Sequence, residues 1–151
     1  TQLEPGRIIV APGGRNLVVR PALTGPWLSW QTDFSAEAGP SGDEPSVDVL
    51  MRSAARTVGR NVLGVVLTGL GRDGTLGAQA IRQGGGMVLV QDEASAAVFS
   101  MPKSVIQAGW ANAVLPLAEL PAAIVRHAAQ FRRVEPASRG ISAAVASAVQ
   151  L

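Results

Sequence analysis

Val62-Leu63-Gly64-Val65-Val66-Leu67-Thr68-Gly69-Leu70-Gly71-Arg72-Asp73-Gly74-Thr75 is the stretch that decides the fold. Its first six residues are a continuous apolar run of strand length, the pattern of a strand buried on both faces. The next seven crowd three glycines and an aspartate into a turn. A helical pattern then runs from about Thr75 to Gln83, closed by Gly84-Gly85-Gly86. Downstream, Met87 to Gln91 reads as the next strand, Pro102 to Ala108 as a short helix with Gly109 behind it, Ala113 to Leu115 as a last short strand, and Pro121 to Phe131 as a last helix. This alternation predicts an α/β fold with a doubly wound, mostly parallel sheet, three-layered and Rossmann-like.

Working upstream, Arg7 to Ala11 reads as a short buried strand ended by Pro12-Gly13-Gly14. Asn16 to Arg20 and Trp27 to Gln31 read as two more strands, joined through Pro21 and Gly25-Pro26 into a short antiparallel excursion, and Ser35 to Glu44 as a loop. A helix starts after Pro45, with Ser46 as N-cap and Asp48 in the first turn. Val47, Leu50, Met51, Ala54 and Val58 follow the helical period and form the expected apolar face. Asp48, Arg52 and Arg56 are expected on the opposite, solvated face, and Gly59 ends the helix. Residues 1–131 are thus expected to form one partial α/β domain, followed by a tail, 132–151, whose Ala- and Ser-rich sequence shows no assignable pattern.

Composition narrows the function classes. With 47% apolar and 16% charged residues the chain is not a disordered segment. The pI near 10.4 suggests a nucleic-acid partner, yet net charge is only +2 and the arginines are dispersed without interleaved aromatics, so no nucleic acid is expected. There is no cysteine and a single histidine, His127, so neither a disulfide framework nor a metal site is expected, and no cofactor. His127 is read as a helix-surface residue. The apolar stretch from Val62 to Leu70 is far short of a membrane span, and Thr1 to Pro5 shows no signal pattern. A cytoplasmic protein without membrane insertion is the expectation.

Three readings compete for the turn from Thr68 to Gly74. Structurally, Asp73 caps the helix that follows and the glycines permit the turn. As a dinucleotide fingerprint, Gly69-x-Gly71-x-x-Gly74 follows a strand and precedes a helix, with Asp92 about twenty residues on; against it, Asp73 would place a carboxylate where a pyrophosphate must sit. As the acid of a Ser-His-Asp triad, a strand-end carboxylate held by a rigid turn would orient an imidazole and stabilise the imidazolium.

Four blocks carry a family resemblance. Val66-Leu67-Thr68-Gly69-Leu70-Gly71-Arg72-Asp73-Gly74 resembles the "LTGMGxDG" signature of the chemotaxis protein-glutamate methylesterases. Gln91-Asp92-Glu93-Ala94-Ser95 with Val98-Phe99-Ser100-Met101-Pro102-Lys103 resembles their "QDExS…VFGMPK" block, Pro45 to Ser53 their "PSVDVLFRS" helix, and Ile9 to Gly14 their "IAPGG" strand end. The resemblance, covering about Arg7 to Ala128, implies hydrolysis of glutamate methyl esters, with related glutamine deamidation, on the cytoplasmic regions of methyl-accepting chemoreceptors. It implies that Asp73 is the triad acid and that the backbone N–H around Leu70, in the loop Gly69-Leu70-Gly71, stabilises the oxyanion. It implies that Gln91, Met101 and Pro102 line or support the site.

Two triad members have no counterpart in these 151 residues. The family's serine lies in a "GxSxGG" turn after its first strand and its histidine after its second, and both precede the segment matched here. Gly39-Pro40-Ser41-Gly42 lacks the G-x-S-x-G spacing, and His127 is remote in sequence from the turn. Asn16 and Asp43-Glu44 stand where the family often has His and His-Arg. The expectation is an esterase piece inactive alone, which pairs with a preceding segment or a second chain, or else a non-catalytic binding module derived from the esterase.

Overall fold

The computed structural model of the chain describes residues 1–22 and 29–132. The chain divides into two compact units, Thr1–Leu117 and Ala118–Leu151. In the first, β1 (Asn16–Ala22) and β2 (Ser29–Ser35) form an antiparallel pair in which Asn16 faces Ser35 and Ala22 faces Ser29. Then come α1 (Val47–Val58), β3 (Leu63–Val66), α2 (Thr75–Gln83), β4 (Met87–Gln91), α3 (Ser100–Gln107) and β5 (Ala113–Leu115). The second unit holds α4 (Leu120–Arg132). The expected tail lies outside the described residues from 133 on, as do residues 27–28 of the strand expected from Trp27.

β3, β4 and β5 form a parallel sheet in that order, Leu63 to Val66 beside Met87 to Val90 and Leu89 to Gln91 beside Ala113 to Leu115. Sequential parallel strands with a helix in each crossover are what the alternating pattern requires. β4 is central, and Val88, Leu89, Val90 and Gln91 are all buried, so neither face alternates with solvent. The core gathers Ala55, Val66, Ala78, Ile81, Val88, Val90 and Val105.

α1 begins as its sequence indicates, with Ser46 in extended conformation accepting from the Val49 N–H, and it ends at Gly59 with φ 70°. Its burial is wider than the period suggested: the expected face, Val47, Leu50, Met51, Ala54 and Val58, is half-buried, with Met51 packed on the core. Asp48, Val49, Ser53 and Ala55 are buried because α1 packs against β1 on one side and α2 on another, which no single apolar stripe can serve. Polar groups on the β1 side are bonded: Ser53 Oγ accepts the Val19 N–H at 2.9 Å, and Thr57 Oγ1 donates to the Val19 carbonyl at 3.0 Å. Arg52, expected beside Asp48, reaches Glu37 instead at 3.7 Å.

Arg7–Ala11 is corrected outright. It forms no strand, and Ile8 and Val10 are 90% and 82% exposed. β-propensity alone cannot make a strand without a neighbour to pair with, and none of the described residues supplies one. His127 is likewise not on a solvent face but only 9% exposed.

Candidate active site

The turn of interest leaves the carboxyl end of β3, where reacting groups gather in parallel α/β sheets. Gly71 and Gly74 adopt φ of +92° and +94°, open to glycine at no steric cost. A second segment pins the turn. The Gly69 N–H donates to the Val98 carbonyl at 2.9 Å, and the Met101 N–H donates to the Gly69 carbonyl at 3.0 Å. Ser100 Oγ donates to the Gly71 carbonyl at 2.8 Å. The Met101 side chain lies against the Gly69 backbone so closely that a Cβ at position 69 would collide with its sulfur.

Gln91 sets the floor. It is fully buried, its Oε1 accepting the Thr68 N–H at 2.8 Å and its Nε2 donating to the Ser95 carbonyl at 2.8 Å. Thr68 continues the link, with its Oγ1 accepting the Val98 N–H at 2.7 Å. Pro102, at the third position of α3, is also fully buried. Gly69, Gln91, Met101 and Pro102 therefore share one framework under the turn, while Leu70 projects from it, 83% exposed. Among the described residues nothing accepts from the Leu70 or Gly71 N–H.

Asp73 is 4% exposed and its carboxylate is heavily bonded. Oδ1 accepts from Ser46 Oγ at 3.1 Å, the Asp48 N–H at 2.9 Å and the Gly74 N–H at 3.1 Å, while Oδ2 accepts from the Val47 N–H at 2.7 Å. The acid thus sits on the N-terminus of α1, not on that of the helix it precedes, and the helix dipole favours its charge there. An ionised carboxylate offers about four lone-pair sites, so Oδ2 retains capacity for one more donor. A cleft of about 440 Å³ opens beside the turn, lined by Pro40, Ser41, Asp48, Gly71, Arg72 and Leu76.

Two neighbours of Asp73 lie outside the motifs that single out the turn. Ser46, expected only as a cap, also donates its hydroxyl to Asp73. Asp48, expected on the solvated face, is buried and accepts the Gly77 N–H at 2.6 Å. Burial pushes its carboxyl above the ordinary value, the Gly77 N–H pulls it back, and the charge of Asp73 adds to the rise. An acid flanked by Val47, Val49 and Leu50 was the available signal. Asn16 joins the same corner: its Oδ1 accepts the Ser46 N–H at 2.7 Å and its Nδ2 donates to the Glu37 carbonyl at 2.7 Å. His127 is carried by α4, in the second unit. No group of three or more metal-binding side chains converges among the described residues, and no helix there is long and apolar enough to cross a membrane.

Fold and site define a Rossmann-like α/β domain with a buried acid fixed at a strand exit. A family model described as CheB methylesterase matches residues 1–124. The protein-glutamate methylesterase/protein-glutamine glutaminase 2 of Pseudomonas aeruginosa is 40% identical over 129 residues, 85% of this chain and 36% of that protein. Protein-glutamate methylesterase FrzG of Myxococcus xanthus is 40% identical over 126 residues, 82% of this chain and 35% of that protein. The crystal structure of the Thermotoga maritima CheB methylesterase catalytic domain matches with a TM-score of 0.77 at 31% identity, covering 83% of this chain and 65% of that one. The chain belongs to the CheB methylesterase family. It spans only about a third of the length of these two relatives.

Proposed function

We propose that this chain is the acid-bearing part of a protein-glutamate methylesterase that hydrolyses glutamate methyl esters, and deamidates glutamines, on the cytoplasmic regions of chemoreceptors. Asp73 is the triad acid: it receives an imidazole N–H on Oδ2, fixes the tautomer and stabilises the imidazolium as the histidine takes the serine proton. The serine oxygen attacks the ester carbonyl, methanol leaves, and water releases the acyl-enzyme. The Leu70 N–H donates to the tetrahedral oxyanion, and Gln91, Met101 and Pro102 hold the turn that aims it. The serine and histidine come from outside residues 1–151, either from a preceding segment or from a second chain, so the 151 residues alone do not turn over.

The observation that carries this reading is the bonding of Asp73. Fixed by three backbone N–H groups and a hydroxyl, with one oxygen still able to accept, it has the restraint that an imidazole-orienting acid needs. The dinucleotide alternative loses support on the same ground. The N-terminus of α2, where a pyrophosphate would bind, already holds the Asp48 carboxylate, and Asp92 Oδ1 is engaged by the Ser95 N–H and hydroxyl.

The test is methanol release from a methylated receptor fragment. The chain alone is expected to give none; mixed with a family fragment that carries the serine and histidine, it is expected to turn over. Asp73→Asn in that mixture should lower the rate by roughly 10⁴-fold. Turnover by the isolated chain at the rate of an intact relative would overturn the proposed inactivity. A mixture that forms a complex but hydrolyses equally well with Asp73→Asn would overturn the role of Asp73.

A further inference from the structure

Asp48 is a buried acid with no role in the reaction proposed above. Its Oδ1 accepts the N–H of Gly77, the third residue of α2, at 2.6 Å. Asp73, immediately ahead of α2, makes the reverse connection, accepting the Val47 and Asp48 N–H groups at the start of α1. Each carboxylate therefore occupies the N-terminus of the other's helix. Helix N-termini carry unsatisfied donors, so two of them brought together each need an acceptor. The approach is close enough that position 77 admits only glycine, since an added Cβ would lie 2.5 Å from the Met51 Cβ.

We infer that Asp48 is a positioning residue for Asp73: by tying the first turn of α2 to α1 it fixes where, and in which direction, Asp73 presents its carboxylate. Gly77 lies four residues beyond Asp73, in the first turn of α2, so displacement of that turn is passed along the short intervening backbone to the acid. The Asp48 carboxylate ties α1 to the start of α2 chiefly through the Gly77 N–H, and the backbone N–H groups of Gly74 and Leu76 also act on it. The bonds to Asp73 come from the cap and first residues of α1 and from the adjoining Gly74, and hold the carboxylate itself, whereas the Asp48 bond holds the first turn of the helix behind it. The functional meaning of this role rests on the esterase reading. The role itself does not.

Residue-resolved amide hydrogen exchange tests it, on the chain with Asp48→Ala and Asp48→Asn. Asp48→Ala should speed exchange at Gly77 and also at Val47 by at least about fivefold, relative to Val90 in the central strand. Asp48→Asn keeps an oxygen acceptor and should hold both amides protected. If Asp48→Ala loses the Val90 protection as well, Asp48→Ser, too short to reach Gly77, takes its place. Faster exchange at Gly77 with none at Val47 would reduce Asp48 to a local cap and overturn the inference, as would Val47 exposed in Asp48→Asn while Gly77 stays protected. No substrate is involved, so failure here leaves the esterase reading standing, and a failed hydrolysis assay leaves this result standing.

Discussion

Gln91 and Thr68 are joined at the end of the parallel pair β3–β4, the Gln91 Oε1 accepting the Thr68 N–H at 2.8 Å where the turn toward Asp73 departs. Because Gln91 also holds Ser95, one buried amide connects the turn to the following loop. Gln91→Ala leaves the Thr68 N–H and the Ser95 carbonyl without their partner. The expected cost is about 2 kcal/mol, read as a lower urea midpoint at unchanged m-value. Exchange at Thr68 should accelerate beyond that global loss.

Asp73→Ala should destabilise the chain whether or not it ever meets a histidine. It strips the acceptor from the Val47 and Asp48 N–H groups and from the Ser46 hydroxyl, for an expected loss of about 3 kcal/mol. Asp73→Asn keeps one oxygen and should cost less. Denaturant unfolding of both variants gives the ordering, and equal stability of Asp73→Ala and wild type would contradict the bonding described.

Gly69 and Met101 should show coupled energetics. Gly69→Ala drives a methyl into the Met101 side chain and is expected to cost about 2 kcal/mol. Adding Met101→Ala removes the collision, so the double variant should lose less than the two single losses combined. Additive losses in a double-mutant cycle would show that the contact carries no energy.

Asp48 has a pH signature. Its carboxyl is raised above 3.8, chiefly by burial, so the native state binds its proton more tightly than the unfolded chain does. Its contribution to stability is therefore fully present below about pH 3.8 and lost as pH rises through the elevated native value. Asp48→Asn, which keeps the acceptor without the charge, should be more stable than wild type at neutral pH. The gap should close on acidification, as thermal unfolding across that range would reveal.

Much of the fold was legible because its strands are short apolar runs and its helices are bounded by glycine or serine. α2 and β4 have the bounds read from the sequence, Thr75–Gln83 and Met87–Gln91. What failed has a common cause, namely the identity of neighbours. Ile8 and Val10 look like core residues, yet among the described residues no strand lies beside them and both are exposed. Asp48 looks like a surface charge until α2 is seen to begin against it. A period of 3.6 describes one buried stripe, and α1 buries two sides. The turn motif located Asp73, but its anchorage on α1 depends on a helix 26 residues upstream, a relationship that no local pattern contains.

β3 has a partner on one flank only among the described residues, and its sequence there, Leu63-Gly64-Val65-Val66, carries neither charge nor proline to discourage a visitor. A strand arriving at that flank would inherit its direction and alignment from backbone already in place. Selection would then fall on shape more than on side-chain identity, because main-chain groups offer the same contacts to any sequence that can lie extended. Among the described residues this flank is a mould left open, and a filler there could diverge widely provided it were extended, apolar on both surfaces, and long enough to reach the turn beside Asp73.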